Sequence, residues 1–288
     1  AGGGAVSAVA NGSNNRVSTF SSSTALNGEA NLTFTGSLLT LAGNLELTNT
    51  DGATKFIRTT SCTTGMYAPF VITPTSSGNA ADTFGSGIQF NIADCGVGAT
   101  RLGVFGIERH GADNSGRYIF SVDNAGSQTT VMTIDNTGAV SMPKQPAFLA
   151  YNASTITNVT GNNTQYTGVF GTEVFDQNAD FDGTSTFTAP VTGRYRLSLG
   201  VGIQQAGSAS RGRLRIVTPN RTYESYWHPD NHEATTDGIS YANLHVLADI
   251  DAAEAVTTTV LLNGTGADTA DFTGSSELIT SFGGELVA

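Results

Sequence analysis

Lysine is almost missing from these 288 residues: Lys55 and Lys144 are the only two. With arginine they make 13 cations against 24 carboxylates, a net charge of −11. No Lys/Arg run is present to displace counterions along a phosphate backbone, which argues against nucleic acid as a partner. Arg211, Arg213 and Arg215 alternate, placing three charges on one strand face, a pattern suited to ion pairs or an intersubunit contact. Long apolar runs are also absent. Nothing approaches the ~20 residues that span a bilayer as a helix, so membrane insertion is not expected. Ala1-Gly2-Gly3-Gly4 shows neither the basic flank nor the apolar centre of a signal peptide, and the missing initial Met reads as a fragment or processed product. Two cysteines, Cys62 and Cys95, are too few for a disulfide framework, and pairing and free thiols both stay open.

Charged residues make up only 13% of the chain, too few for ordinary helix surfaces. What is abundant is Thr, Val, Ser and Asn, with 35 glycines, the composition of short strands joined by tight turns. The fold class expected is all-β.

Three regions differ in texture. Residues 1–48 carry brief apolar beats closed by glycine, Asn31–Gly36 and Leu38–Gly43, then Asn44–Thr48. Strands this short gain stability by wrapping or stacking with others, so the segment is expected to be an extended, trimerising fibre shaft. Residues 49–142 form a middle β-domain. Its run Gly87–Ile92 alternates strictly, with Ile88, Phe90 and Ile92 on one face. Leu102–Ile107 and Tyr118–Val122 behave alike, and Asp123–Gly126 and Asp135–Gly138 are turn signals. Pro143 and Pro146 then interrupt regular structure. Residues 143–288 hold longer strands, expected at Thr186–Ala189, Arg194–Ile203, Arg213–Val217, Ile239–Leu247, Val256–Leu262 and Glu277–Val287, a spacing that suits a sandwich or jelly roll.

Two resemblances sharpen this reading. Asn15-Arg16-Val17, followed by Asn27-Gly28-Glu29-Ala30-Asn31-Leu32-Thr33-Phe34 and Leu39-Thr40-Leu41, resembles a shaft repeat of phage tail-fibre and tail-tip proteins. Met132-Thr133-Ile134-Asp135-Asn136-Thr137-Gly138 is similar to a second, shorter pattern of such fibres. Phe187-Thr188-Ala189-Pro190-Val191-Thr192-Gly193-Arg194-Tyr195 resembles the most specific motif of the C1q/TNF-like family. Pro146–Tyr151 looks like that family's first strand, and Ser281-Phe282-Gly283-Gly284-Glu285-Leu286 like its last. At Ala253-Glu254 the family often has Gly-Asp. The resemblance implies a jelly-roll head on a homotrimer.

Candidate sites are few. Asp176, Asn178, Asp180 and Asp182 offer oxygens at every second residue before Gly183, a spacing open to Ca²⁺ or to a plain Asx turn. The position an EF-hand reserves for Glu is Ala189. Tyr223, Tyr226 and Trp227, with His228 and His232, form the densest aromatic cluster and are candidate receptor-binding residues. They could equally belong to the core or a trimer interface. The His pair could also meet its symmetry mates at a metal. No nucleophile elbow or phosphate loop is present, and no carboxylate pair stands out for glycan cleavage, so an enzyme is not expected.

The resulting expectation is a virion fibre, a phage tail fibre or similar appendage. Its partners would be other virion proteins and a host cell-surface glycan or protein, met through residues 204–212 and 221–238. A decoration or capping protein without receptor binding is the alternative, and a polysaccharide depolymerase a third reading.

Overall fold

Alternating β-branched and aromatic residues, broken by glycine and Asn/Asp turns, produce strands throughout, and no α-helix occurs among the described residues. The structure is a computed structural model describing residues 9–10, 16–22, 25–34, 39–41, 71–94, 97–207, 209–229 and 238–288. Asn44–Thr48, both cysteines and His232 lie outside the described residues. The chain forms two units, Ala1–Val71 and Ile72–Ala288.

In the first unit, β1 (Val9–Ala10), β2 (Arg16–Ser22) and β4 (Leu39–Leu41) all pair with the long β3 (Ala25–Phe34). The beat Asn31–Phe34 thus hairpins with Leu39–Leu41, Leu32 facing Leu41. Phe34, Leu39 and Leu41 remain exposed, as expected for pieces too short to bury a face alone.

The second unit opens with a five-stranded antiparallel meander: β5 (Gly85–Asp94), β6 (Val97–Arg109), β7 (Gly116–Asn124), β8 (Ser127–Ile134) and β9 (Val140–Ser141). Register decides its two faces. Ile88 faces Phe105, which faces Phe120, which faces Met132; Tyr118 lies between Ile107 and Ile134, and Ile134 faces Val140. One face is therefore apolar, with Phe105 packed on Phe120 at 4.8 Å between ring centres. The other carries the polar groups: the Arg117–Glu108 and Arg101–Asp123 ion pairs and the Thr133–Ser141 hydroxyl contact. Both sequence turns are found where expected. Ala125 and Gly126 adopt positive φ in one. In the other, the Asp135 carboxylate accepts from the N–H groups of Thr137 and Ala139.

The remaining strands build a sandwich. One sheet contains β10 (Ala147–Tyr151), β11 (Ile156–Thr160), β13 (Thr172–Asp176), β15 (Gly193–Gln204), β18 (Ile239–Ile250), β20 (Ala270–Phe272) and β21 (Ser281–Leu286). The other contains β12 (Asn162–Thr167), β14 (Phe187–Thr188), β16 (Arg211–Val217), β17 (Thr222–Trp227) and β19 (Ala255–Asn263). Their central paths, β10-β21-β15-β18 and β12-β19-β16-β17, interleave chain order between sheets in the manner of a jelly roll. The fold is all-β, as expected. Tyr195, Leu197, Leu199 and Val201 share one buried face of β15 and meet Leu214, Ile216, Val260 and Leu262 from the facing sheet. Phe148 joins Phe181, Phe187 and Phe282 in an aromatic cluster with ring centres 4.7–5.2 Å from Phe148. Burying each such side chain stabilises the fold by about 1.5–3 kcal/mol.

Most expected strands are present. The last begins only at Ser281, not Glu277, because Leu278 sits at φ +58° and interrupts the extended backbone. Ala253 adopts φ +67° at the turn into β19, the conformation for which the resembling family often supplies Gly.

Candidate functional site

The aromatic cluster falls on β17, the outermost strand of its sheet path, and not in a loop as expected for residues 221–238. Strand period then splits it. Tyr223 faces Ile216, and Trp227 faces Gly212, both towards the sandwich interior. Trp227 and Tyr223 pack against the core. The Trp227 indole N–H donates to Ser240 Oγ at 3.1 Å, joining β17 to β18 of the other sheet. Tyr226 points the opposite way and is 54% exposed. His228 is exposed just beyond the strand, its Nδ1 2.8 Å from the Ser210 carbonyl oxygen.

Around Tyr226 the outer face of this sheet assembles groups from three strands. Arg213 stands opposite Tyr226, and Arg215 opposite Glu224. Arg215 Nε donates to Glu224 Oε2 at 3.0 Å, and its Nη1 to Gln165 Oε1 at 3.0 Å. The Tyr226 hydroxyl donates to Glu224 Oε1 at 3.1 Å. The Arg215 guanidinium first, and the Tyr226 hydroxyl second, hold the Glu224 carboxyl below its ordinary pKa. Arg213 Nε is buried without a hydrogen-bond partner. The face therefore presents one fixed carboxylate, an exposed phenol ring and neighbouring guanidinium groups, a set able to stack on and hydrogen-bond a polyhydroxylated or peptide ligand. Sequence reasoning noticed the alternating arginines but did not connect them to Tyr226, since the register between β16 and β17 is what joins them. The shared even-numbered parity of Glu224 and Tyr226 was the available signal.

The acidic run is organised by its own backbone. Asp176 accepts from the N–H groups of Asp180 at 3.1 Å and Phe181 at 2.8 Å. Asp182 Oδ1 accepts from Thr184, Ser185 and Thr186 at 2.7–3.0 Å. Burial alone would raise the Asp182 pKa, and those N–H groups together outweigh it and hold the value down. Asn178 donates to the Lys144 carbonyl at 3.1 Å. These are Asx-type turns, with Gly183 at φ +71°. The four residues thus do not converge as a calcium loop. Among the described residues, no three His, Cys, Asp or Glu side chains gather as a metal needs. An open cavity of about 420 Å³ lies beside Asp180 and Asp182, lined otherwise by Phe181, Ala189, Pro190 and Ala253.

The outer face of the other sheet is different in character. Gly200, Ser198 and Gly283 keep its centre low. Phe175, Tyr241 and Leu247 stand exposed around it. A groove of about 230 Å³ runs between Leu149, Phe175, Ser198 and Gly283, with the Arg196–Glu285 ion pair of 2.8 Å at its rim.

No protein-family model matches the chain, and no curated protein matches it. Among solved structures, the globular domain of zebrafish complement 1qA protein is 15% identical, with a TM-score of 0.37, over 50% of this chain and 98% of that one. Murine APRIL is 9% identical, with a TM-score of 0.36, over 50% of this chain and 100% of that one. These are likenesses of fold alone, and the jelly-roll assignment rests on the strand order given above.

Proposed function

We propose that the chain is part of a homotrimeric virion fibre, of the phage tail-fibre kind, whose jelly-roll head binds a host-surface glycan or protein. One observation carries the reading: the head's two outer faces differ in what they offer a partner. The face of β15 and β18, with Phe175 of β13, sets exposed Tyr241 and Leu247 around small Ser198, Gly200 and Gly202 beside Arg194, Arg196 and Asp249, a mixed surface that can pair with copies of itself. The face of β16 and β17 displays Tyr226 among Arg213, Arg215 and Glu224, which suits a polar ligand. The resemblance of Asn15–Leu41 to fibre-shaft repeats supports the virion setting, and three heads in one particle would bind multivalently. No chemistry is assigned to the head: its role is adhesive.

The test is adsorption. Purified full chain is incubated with a panel of bacterial cells, and Tyr226→Ala is compared with the unaltered protein. Loss of one exposed aromatic anchor is expected to weaken binding about tenfold, equivalent to ~1.4 kcal/mol. Melting temperature and oligomer mass should not change. Binding that is unaltered in both Tyr226→Ala and Arg213→Ala favours a capping or decoration protein, and shortened host polysaccharide after incubation favours a depolymerase.

A further inference from the structure

The five-stranded meander, β5 to β9, has an apolar face that no described element covers. Eight of its side chains are exposed, Phe90 and Ile92 to 57% and 54% and Phe105, the least, to 37%. An antiparallel sheet can show one face to water, but that face is normally the polar one. Here the polar face already exists on the other side, where both cross-strand ion pairs and the hydroxyl contacts lie. From Ile88 to Val140 the described charge on this face is Arg109, at the end of β6 opposite Gly116, where it is ion-paired with Asp113 at 2.8 Å.

Size points to an occupant. Aromatic side chains bury roughly 150–250 Å² each and Ile or Val less, so three aromatics and five aliphatics at about half exposure leave on the order of 500–600 Å² open. That is at the limit of the ~300–600 Å² patch of a soluble monomer, and near the ~800 Å² each partner brings to a standard interface. The half-buried Phe120, Met132 and Ile134 extend the patch. Charge points to which occupant. Copies of a chain with a net charge of −11 repel one another, and a face whose described charge, Arg109, is already neutralised by Asp113 is where they can meet without opposing like charges.

We infer that this face is buried against the same face of further copies, three in all, so that residues 85–141 form a trimer contact of their own. The inference rests on the homotrimer proposed above but assigns a second, separate interface. The three sheets would enclose an apolar axis and turn their ion pairs outward. Met142–Pro146 then leads into the head through a turn that is tied down: Gln177 Nε2 donates to the Met142 carbonyl at 2.8 Å and to the Gln145 carbonyl at 2.7 Å.

The experiment uses the full chain with Cys62→Ser and Cys95→Ser, carrying one new cysteine. Val122→Cys lies on the apolar face and Thr130→Cys on the polar face. Both are labelled with a maleimide under native conditions, and sedimentation gives the mass. The expected result is a trimer in which Val122→Cys labels about tenfold or more slowly than Thr130→Cys, since reaction must await local opening. Adding Leu247→Arg to disrupt the head contact should leave that ratio unchanged. Equal labelling rates in a chain of trimer mass overturn this inference while leaving the head trimer standing. A protected Val122→Cys that becomes fast with Leu247→Arg overturns the independence of the contact. A monomer in which both cysteines label quickly sinks both readings together.

Discussion

Asp180 is the residue where burial and charge are least compensated. Its Oδ2 is withdrawn from solvent with no hydrogen-bond partner, although Asp176 accepts backbone N–H groups with both oxygens and Asp182 with its Oδ1. Burial first, and the neighbouring Asp176 charge second, push its pKa above the ordinary value of 3.8. The folded chain therefore binds this proton more tightly than the unfolded chain does. Below the unfolded value no penalty operates; as pH rises through the folded value, an ionised and poorly solvated carboxylate destabilises the head. Asp180→Asn is expected to raise the melting temperature near neutral pH, with the gain shrinking as pH falls towards about 4. Differential scanning at several pH values checks this, and a gain that is the same at every pH would refute it. Asp182 behaves oppositely, its backbone hydrogen bonds favouring the ionised form. Because Asp182 is common to both proteins, its contribution cancels in the difference.

At the scale of elements, the β16–β17 pair shows how one register sets both packing and surface. Gly212 faces Trp227, and a Cβ placed on Gly212 would collide with the indole ring. Gly212→Ala should displace Trp227 from Ser240 and cost about 1–3 kcal/mol of head stability by overpacking. Trp227 is the chain's single tryptophan, so its emission reports the displacement directly. An unchanged spectrum and melting temperature would show that the indole is not held as described. The same pair marks the limit of what the sequence discloses. Alternation placed Ile88, Phe90 and Ile92 on one face, and punctuation by Asp, Asn and Gly located both turns of the meander. Those features are local, so local pattern finds them. The short strands β11, β12, β13 and β20 were not anticipated: each is polar or brief, and pairing with distant strands holds it extended. Likewise Gln165 reaches Arg215 from 50 residues away, a neighbour that only the sheet order supplies. Trp227 belonged to the candidate receptor set on composition, whereas its parity along β17 turns it inward.

For the whole molecule, the two proposed self-association surfaces, in series, have a measurable consequence. Leu247→Arg in the head and Phe90→Lys in the meander should each leave the trimer mass intact, because the other contact persists. The double variant should sediment as a monomer at micromolar concentration. Either single substitution abolishing the trimer would show that the substituted surface is required and that the other cannot hold the trimer by itself. The route by which the meander joins the head bears on how the head responds to being pulled. A load entering at Met142 arrives at β10, which is hydrogen-bonded to β13 on one side and β21 on the other, while Gln145 Nε2 also donates to the Leu286 carbonyl at 3.1 Å. Tension directed along a strand clamped on both edges stresses those bonds in shear and all at once, so none can open ahead of the rest. A pull that enters the head through Met142 therefore meets a strand held along both edges before it reaches the core.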